Sequence, residues 1–147
     1  MKQITGTWFE CKVRYEQTQD DGLEKMVTET YVYEAADFGE AYDKAIKNMS
    51  TFISGDFGIK AMKIAQYGEV VMQDDITEEK FYRVKVNLII LDEETQKEKK
   101  TACYYLVNAD SVEKARKYTD TAFSDTLIDY VIEAVQEAKI IDVIFDD

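Results

Sequence analysis

The chain has 147 residues and a formal charge of −12, from 18 basic and 30 acidic side chains, with no histidine and two cysteines. Without histidine it lacks a Ser-His-Asp or Cys-His constellation, the usual general base near neutral pH and an imidazole metal ligand. Its charge argues against duplex DNA as a partner, because that affinity comes largely from Lys and Arg displacing counterions. A hydrophobic content of 46%, with 10 Tyr, 7 Phe and 1 Trp, excludes a disordered acidic tail. The length predicts one domain over residues 1–147 with a core of its own.

The first element is a strand. Thr7, Phe9, Cys11, Val13 and Tyr15 alternate with Trp8, Glu10, Lys12, Arg14 and Glu16, the period-two signal of a strand with one buried face. The turn-forming Gln19-Asp20-Asp21-Gly22 follows, and residues 27–35 return as the second hairpin strand. Asp37 with Glu40 then reads as an acidic N-cap and a Glu reaching back to the cap's own N–H. The helix it opens carries Phe38, Ala41, Tyr42, Ala45, Ile46 and Met49 as its buried stripe. Residues 57–72 end in a strand at Val70-Val71, and the polar stretch 73–79 links the halves.

The second half repeats the first at an offset of 73 without a gap. Trp8 to Val13 falls on Phe81 to Val86, Tyr31 on Tyr104, Ala36-Asp37 on Ala109-Asp110, Glu40 on Glu113 and Val70 on Val143. Such self-similarity marks one supersecondary unit used twice, over about 1–73 and 74–147. Tyr82, Val84, Val86, Leu88 and Ile90 repeat the inward face, Asp92 to Lys97 the turn, and residues 100–108 the return strand. Asp110 with Glu113 repeats the cap, before a helix through Val112, Ala115, Thr119 and Ala122. Residues 128–139 read two ways, since Ile128, Val131, Ile132, Val135 and Ala138 also fit a helix. The repeat decides for strand, because the matching stretch has Gly55 and Gly58 and no comparable stripe.

Each ββαβ unit is therefore expected to place its third strand beside the first and antiparallel to it. The fold class is α+β, mostly antiparallel sheet with two helices, and the two units are expected to share a six-stranded sheet about a pseudo-twofold axis.

Chemistry-bearing motifs are sparse. No phosphate-binding glycine loop occurs, and Cys11 and Cys103 match Val84 and Thr30 in the repeat, so they read as two reduced, buried thiols. The acidic pairs Asp20-Asp21, Asp74-Asp75, Glu78-Glu79 and Asp92-Glu93-Glu94 fall in turns or the linker, where solvated charge is expected. No metal, cofactor or catalytic residue is assigned. The candidate binding residues are Trp8, Lys12, Arg14, Phe81, Arg83 and Lys85, an aromatic and basic set on the outward face of both first strands. Such a face suits single-stranded nucleic acid, by base stacking among cations. The competing reading has Glu10 and Glu16 share that face and Trp8 covered by the N-terminal residues or by a second subunit. The closing run Ile140 to Asp147 reads as a docked acidic tip or, by its match to Tyr67–Met72, as a final strand.

Through the runs TWFECKVRYE, TFISGDF, KKTACYYLV and IIDV, nearly the whole chain resembles a family of short bacterial and phage-borne proteins known only as a domain of unknown function. The resemblance implies a bacterial or phage-infected host cytoplasm and carries over no activity or site residue. No apolar run suits a membrane span and no leader is present. The expected function is a non-enzymatic interaction or regulatory module, a small acidic cytoplasmic protein that binds another macromolecule, by expectation a protein, or itself. A phage-encoded inhibitor presenting a DNA-like acidic surface is one form of it. The alternative is a single-stranded nucleic-acid-binding protein using the aromatic and basic face.

Overall fold

The computed structural model describes residues 1–74 and 77–146. Among these the chain is α+β. It runs β1 (Lys2–Ile4), β2 (Trp8–Thr18), β3 (Glu24–Glu34), α1 (Phe38–Phe52), β4 (Phe57–Ala65) and β5 (Tyr67–Met72). It continues as β6 (Lys80–Leu91), β7 (Glu98–Ala109), α2 (Val112–Ala122), β8 (Asp129–Ala138) and β9 (Asp142–Ile144). Residues 129–138 are thus strand, as the repeat required. The segment 57–72 is two strands broken at Gln66, where one had been expected.

The strands lie in two sheets among the described residues, in orders β1-β5-β7-β6-β8 and β4-β2-β3-β9, and not in one six-stranded sheet. The chain divides into two compact units, one of Met1–Thr5 with Gln66–Ala138, the other of Gly6–Ala65 with the segment from Lys139 onward. We call these the first and second unit. Their boundary differs from the repeat boundary because the last strand of each half is exchanged. β5 pairs parallel to β7 in the first unit, and β9 pairs parallel to β3 in the second. The hairpins and third strands behave as read from sequence: β2 pairs antiparallel with both β3 and β4, and β6 with both β7 and β8. Both third strands carry a bulge at the same place, between Lys12 and Val13 and between Lys85 and Val86. A bulge sets two residues of one strand against one of its partner and re-aims a side chain.

The 73-residue register does slip. The first hairpin loop holds residues 19–23 and the second 92–97, one residue longer, so everything from β7 through α2 lies 74 residues after its counterpart. Gly22 meets the first turn at φ +84, where a glycine costs nothing; Gln96 occupies φ 58 in the second. Asp37 caps α1 as expected, its Oδ1 accepting from the Glu40 N–H at 2.8 Å. Glu40 reaches back to the Ala36 N–H at 3.4 Å, not to the cap's own. Asp110 is not the second cap. Ser111 is, its Oγ accepting from the Lys114 N–H at 3.2 Å, while Asp110 pairs with the Lys114 ammonium at 3.3 Å. The register is restored before β8, because α2 is shorter than α1, 11 residues against 15, and the connection after it, 123–128 against 53–56, makes up only part of the difference.

Each unit has its own core between helix and sheet. In the second, Cys11, Val13 and Tyr33 pack with Ala45 and Met49, and Phe9 with Ala35 and Ala41. In the first, Tyr82, Val84 and Val86 pack with Val71, Val107, Ala109, Ala115 and Phe123. The helix stripes are narrower than expected. Phe38, Tyr42 and Val112 are about half exposed, with Phe38 set edge-on to Phe9 at 4.8 Å. Ala41, Ala45 and Met49 correspond to Ala115, Thr119 and Phe123, all buried and all 74 residues apart.

Candidate functional site

The aromatic members of the outward set do not face solvent. Trp8 is 0% exposed and Phe81 3%, and the buried Trp8 indole N–H has no hydrogen-bond partner among the described residues. Glu10 on the same face is buried as well, with its carboxylate 3.6 Å from the Lys63 ammonium. The period-two pattern places these side chains on the face away from the helix, but that face is itself covered at this end of β2 and β6. A stacking platform of exposed aromatics is therefore absent from both strands.

The basic members divide by unit. In the first unit, the Arg83 guanidinium donates to the Tyr67 hydroxyl at 3.0 Å, and the Lys85 ammonium lies 3.4 Å from a Glu133 carboxylate oxygen. Asn87 donates its side-chain N–H to the same oxygen. The Asn87 hydrogen bond and the Lys85 charge hold Glu133 below the usual glutamate range. In the second unit, Lys12 and Arg14 are exposed and make no ion pair or hydrogen bond through their side chains among the described residues.

Arg14 lines an open cavity of about 270 Å³ together with Lys60, Met26, Asp56, Phe57 and Gly58. Arg14 stands opposite Gly58 on β4 and Thr28 on β3, so the cavity lies on the outer face of the four-stranded sheet near the hairpin end. Lys60 is the extra residue of the β4 bulge, between Ile59, opposite Val13, and Ala61, opposite Lys12. Its ammonium also has no ion-pair partner among the described residues. This cationic hollow on a strongly acidic chain is the candidate site, and Asp56, the acidic residue among those lining it, forms no ion pair among the described residues. Sequence reasoning found Lys12 and Arg14 and missed Lys60 and Gly58. The available signal was a difference between repeats, since 73 residues on from Gly58 and Lys60 stand Val131 and Glu133.

Two further cavities border the second unit's sheet. One of about 350 Å³ shares Met26 and Asp56 and adds Glu16, Thr18, Glu24, Ser54 and Gly55. There a hydrogen bond with Glu24 raises the Glu16 carboxyl above its ordinary value. The other, about 250 Å³, is lined by Tyr31, Asn48, Phe52, Ile141 and Asp142. In the first unit, Glu78 departs from the solvated linker charge expected of it. Its side chain is 3% exposed, with Oε1 accepting from the Tyr118 hydroxyl at 2.7 Å and lying 3.3 Å from the Lys114 ammonium. Asn108 donates to the Glu78 carbonyl at 2.9 Å, so these contacts tie the entrance of β6 to α2 and to the end of β7. Asp75, Ile76 and Asp147, parts of the linker and the acidic tip, lie outside the described residues.

Both thiols are free. Cys11 is fully buried, which pushes its pKa up to about 11, and Cys103 is partly buried and raised for the same reason, then by Glu69. The described residues contain no group of three or more His, Cys, Asp or Glu placed to hold a metal ion. No helix among them is long and apolar enough to cross a membrane. No curated protein and no solved structure matches the chain. A family model does, over residues 7–146, and its description is Domain of unknown function (DUF4494). With nearly the whole length matched, the chain belongs to that family.

Proposed function

We propose that this protein is a non-enzymatic interaction module of bacterial or phage origin that acts in the cytoplasm by binding another protein. The outer face of the four-stranded sheet around Arg14 and Lys60 is its docking surface. The observation that carries this reading is the cluster of cations without partners among the described residues. Arg14 and Lys60 line one hollow and Lys12 stands beside it on the same strand, on a chain of net charge −12. Elsewhere the equivalent lysine, Lys85, is neutralised internally by Glu133. Met26, 46% exposed at the rim, supplies the apolar contact that accompanies charge at interfaces. Single-stranded nucleic acid is the weaker reading, because Trp8 and Phe81, which would have stacked the bases, are buried.

The test is affinity capture by the intact tagged chain from its native host, comparing wild type, Arg14→Glu and Lys47→Glu, a control reversal on the exposed side of α1. The reading expects a protein retained in stoichiometric amount by wild type and Lys47→Glu and lost by Arg14→Glu. Identical captures by all three would refute it.

A further inference from the structure

The bulge on β4 and the bulge on β8 are the same structural device, and the chain fills one of them itself. In the first unit, Lys85 faces Ala134 and Val86 faces Ile132, which leaves Glu133 as the extra residue. Glu133 turns its carboxylate onto Lys85 and Asn87, and Val131 stands opposite Asn87. In the second unit every position has a counterpart 73 residues earlier. Lys12 replaces Lys85, Arg14 replaces Asn87, Lys60 replaces Glu133 and Gly58 replaces Val131. The anion is thus exchanged for a cation, a second donor for a guanidinium, and the flanking apolar side chain is deleted. What remains is a hollow of about 270 Å³ bordered by cations with no ion-pair partner among the described residues.

Gly58 is not required by backbone conformation, since its φ lies outside the left-handed region. It leaves room. A Cβ placed there would meet the Lys60 Cε at 3.7 Å and its Nζ at 3.8 Å, so the ammonium lies over the glycine. A branched side chain would extend into the space the cavity occupies.

We infer that the second unit's bulge site binds an aspartate or glutamate side chain of an acidic protein segment, seated in the hollow that Arg14, Gly58 and Lys60 line. The chemistry of the occupant follows from three observations. The internal counterpart is a carboxylate. The guanidinium of Arg14 offers a planar fork that matches a carboxylate with two parallel hydrogen bonds, which the Asn87 amide cannot do. Met26 and Phe57 give the hollow an apolar wall against which the stem of a Glu side chain packs, and Asp56 at the rim disfavours a more highly charged anion. The inference rests on the proposed interaction face and adds the class of group that it recognises.

The experiment follows backbone amide resonances of the intact protein during titration with a hexaglutamate peptide, with a six-nucleotide oligothymidine and inorganic phosphate as comparisons. The expected result is a saturable shift of the Arg14, Gly58 and Lys60 amides by the peptide. Lys60→Glu, which gives the second unit an internal carboxylate, should weaken it at least tenfold. Gly58→Val, which fills the hollow without changing charge, should do the same. Lys60 is exposed and Gly58 partly buried, and unchanged resonances in the rest of the sheet verify the fold of each variant. Equal binding by Gly58→Val would overturn the inference in favour of plain charge attraction. Tighter binding of the oligonucleotide or of phosphate would overturn the carboxylate assignment. No peptide response, while host-protein capture still depends on Arg14, would sink this inference and leave the interaction face standing; capture that ignores Arg14 would sink the face itself.

Discussion

Cutting the chain in its linker, after residue 76, tests the exchange of final strands. The C-terminal fragment, residues 77–147, keeps β6, β7, α2 and β8 but loses β5 and β1, which belong to its sheet. β5 supplies Val70 and Val71, both 0% exposed, and Tyr67 at 7%, with Val71 packed in the helix-side core. Fully burying side chains of this size contributes roughly 1.5–3 kcal/mol each, so the loss comes to roughly 5–9 kcal/mol before any lost ladder hydrogen bonds. That equals most of the roughly 5–15 kcal/mol that holds a typical domain together. The N-terminal fragment loses β9 with Val143, 4% exposed, and the preceding Ile140 at 6%, a loss of roughly 3–6 kcal/mol. Each fragment alone should therefore show collapsed, poorly dispersed amide resonances and no cooperative urea transition, and an equimolar mixture should regain the spectrum of the intact chain. A C-terminal fragment that unfolds cooperatively at the midpoint of the intact protein would refute the reasoning, because β5 would then contribute nothing to the sheet it joins.

The helix caps make a sharper comparison of neighbours. Asp37→Ala and Ser111→Ala should each destabilise by about 1 kcal/mol, read from urea midpoints, whereas Asp110→Ala should cost about 0.5 kcal/mol or less, the value of an exposed i,i+4 ion pair. An Asp110 effect larger than that of Ser111 would return the cap to Asp110. Trp8→Ala should cost about 3–5 kcal/mol as a core truncation, measured by thermal or denaturant unfolding; a loss under about 1 kcal/mol would show that Trp8 is not buried. Replacing Glu78 by Ala removes the acceptor that Tyr118 and Lys114 share and should destabilise by about 1–3 kcal/mol, with a solvent-shifted Tyr118 ring resonance as a local reporter. Cys103 should react with a thiol reagent in the native state well before Cys11, whose modification should wait for unfolding, and equal rates would contradict the burial of Cys11.

Local patterns in the sequence were enough to locate most of the elements. Alternation at Phe9, Cys11 and Val13 and at Tyr82, Val84 and Val86 identified the first strands and their helix-facing sides, because side chains on a pleated strand switch face at every residue. Asp37 announced α1, because an acidic side chain ahead of an apolar stripe satisfies the orphan N–H groups of a helix start. Comparison of the halves settled residues 129–138 as strand, where Ile128, Val131, Ile132 and Val135 alone allowed a helix. It was the same comparison, pressed too evenly, that put the second cap on Asp110; a one-residue insertion in a solvated turn leaves no trace in an alignment of charged residues. Three matters belonged to the tertiary structure. Which sheet receives β5 and β9 depends on edge pairing between segments far apart in the chain, and a strand's own sequence does not name its neighbour. Whether Trp8 and Phe81 are wet depends on what covers the face away from the helix, and period two reports only that they share it. The hollow between Arg14 and Lys60 exists because a bulge re-aims one side chain and a glycine withholds another, an effect of register and shape that the residues express only once β2 and β4 are paired.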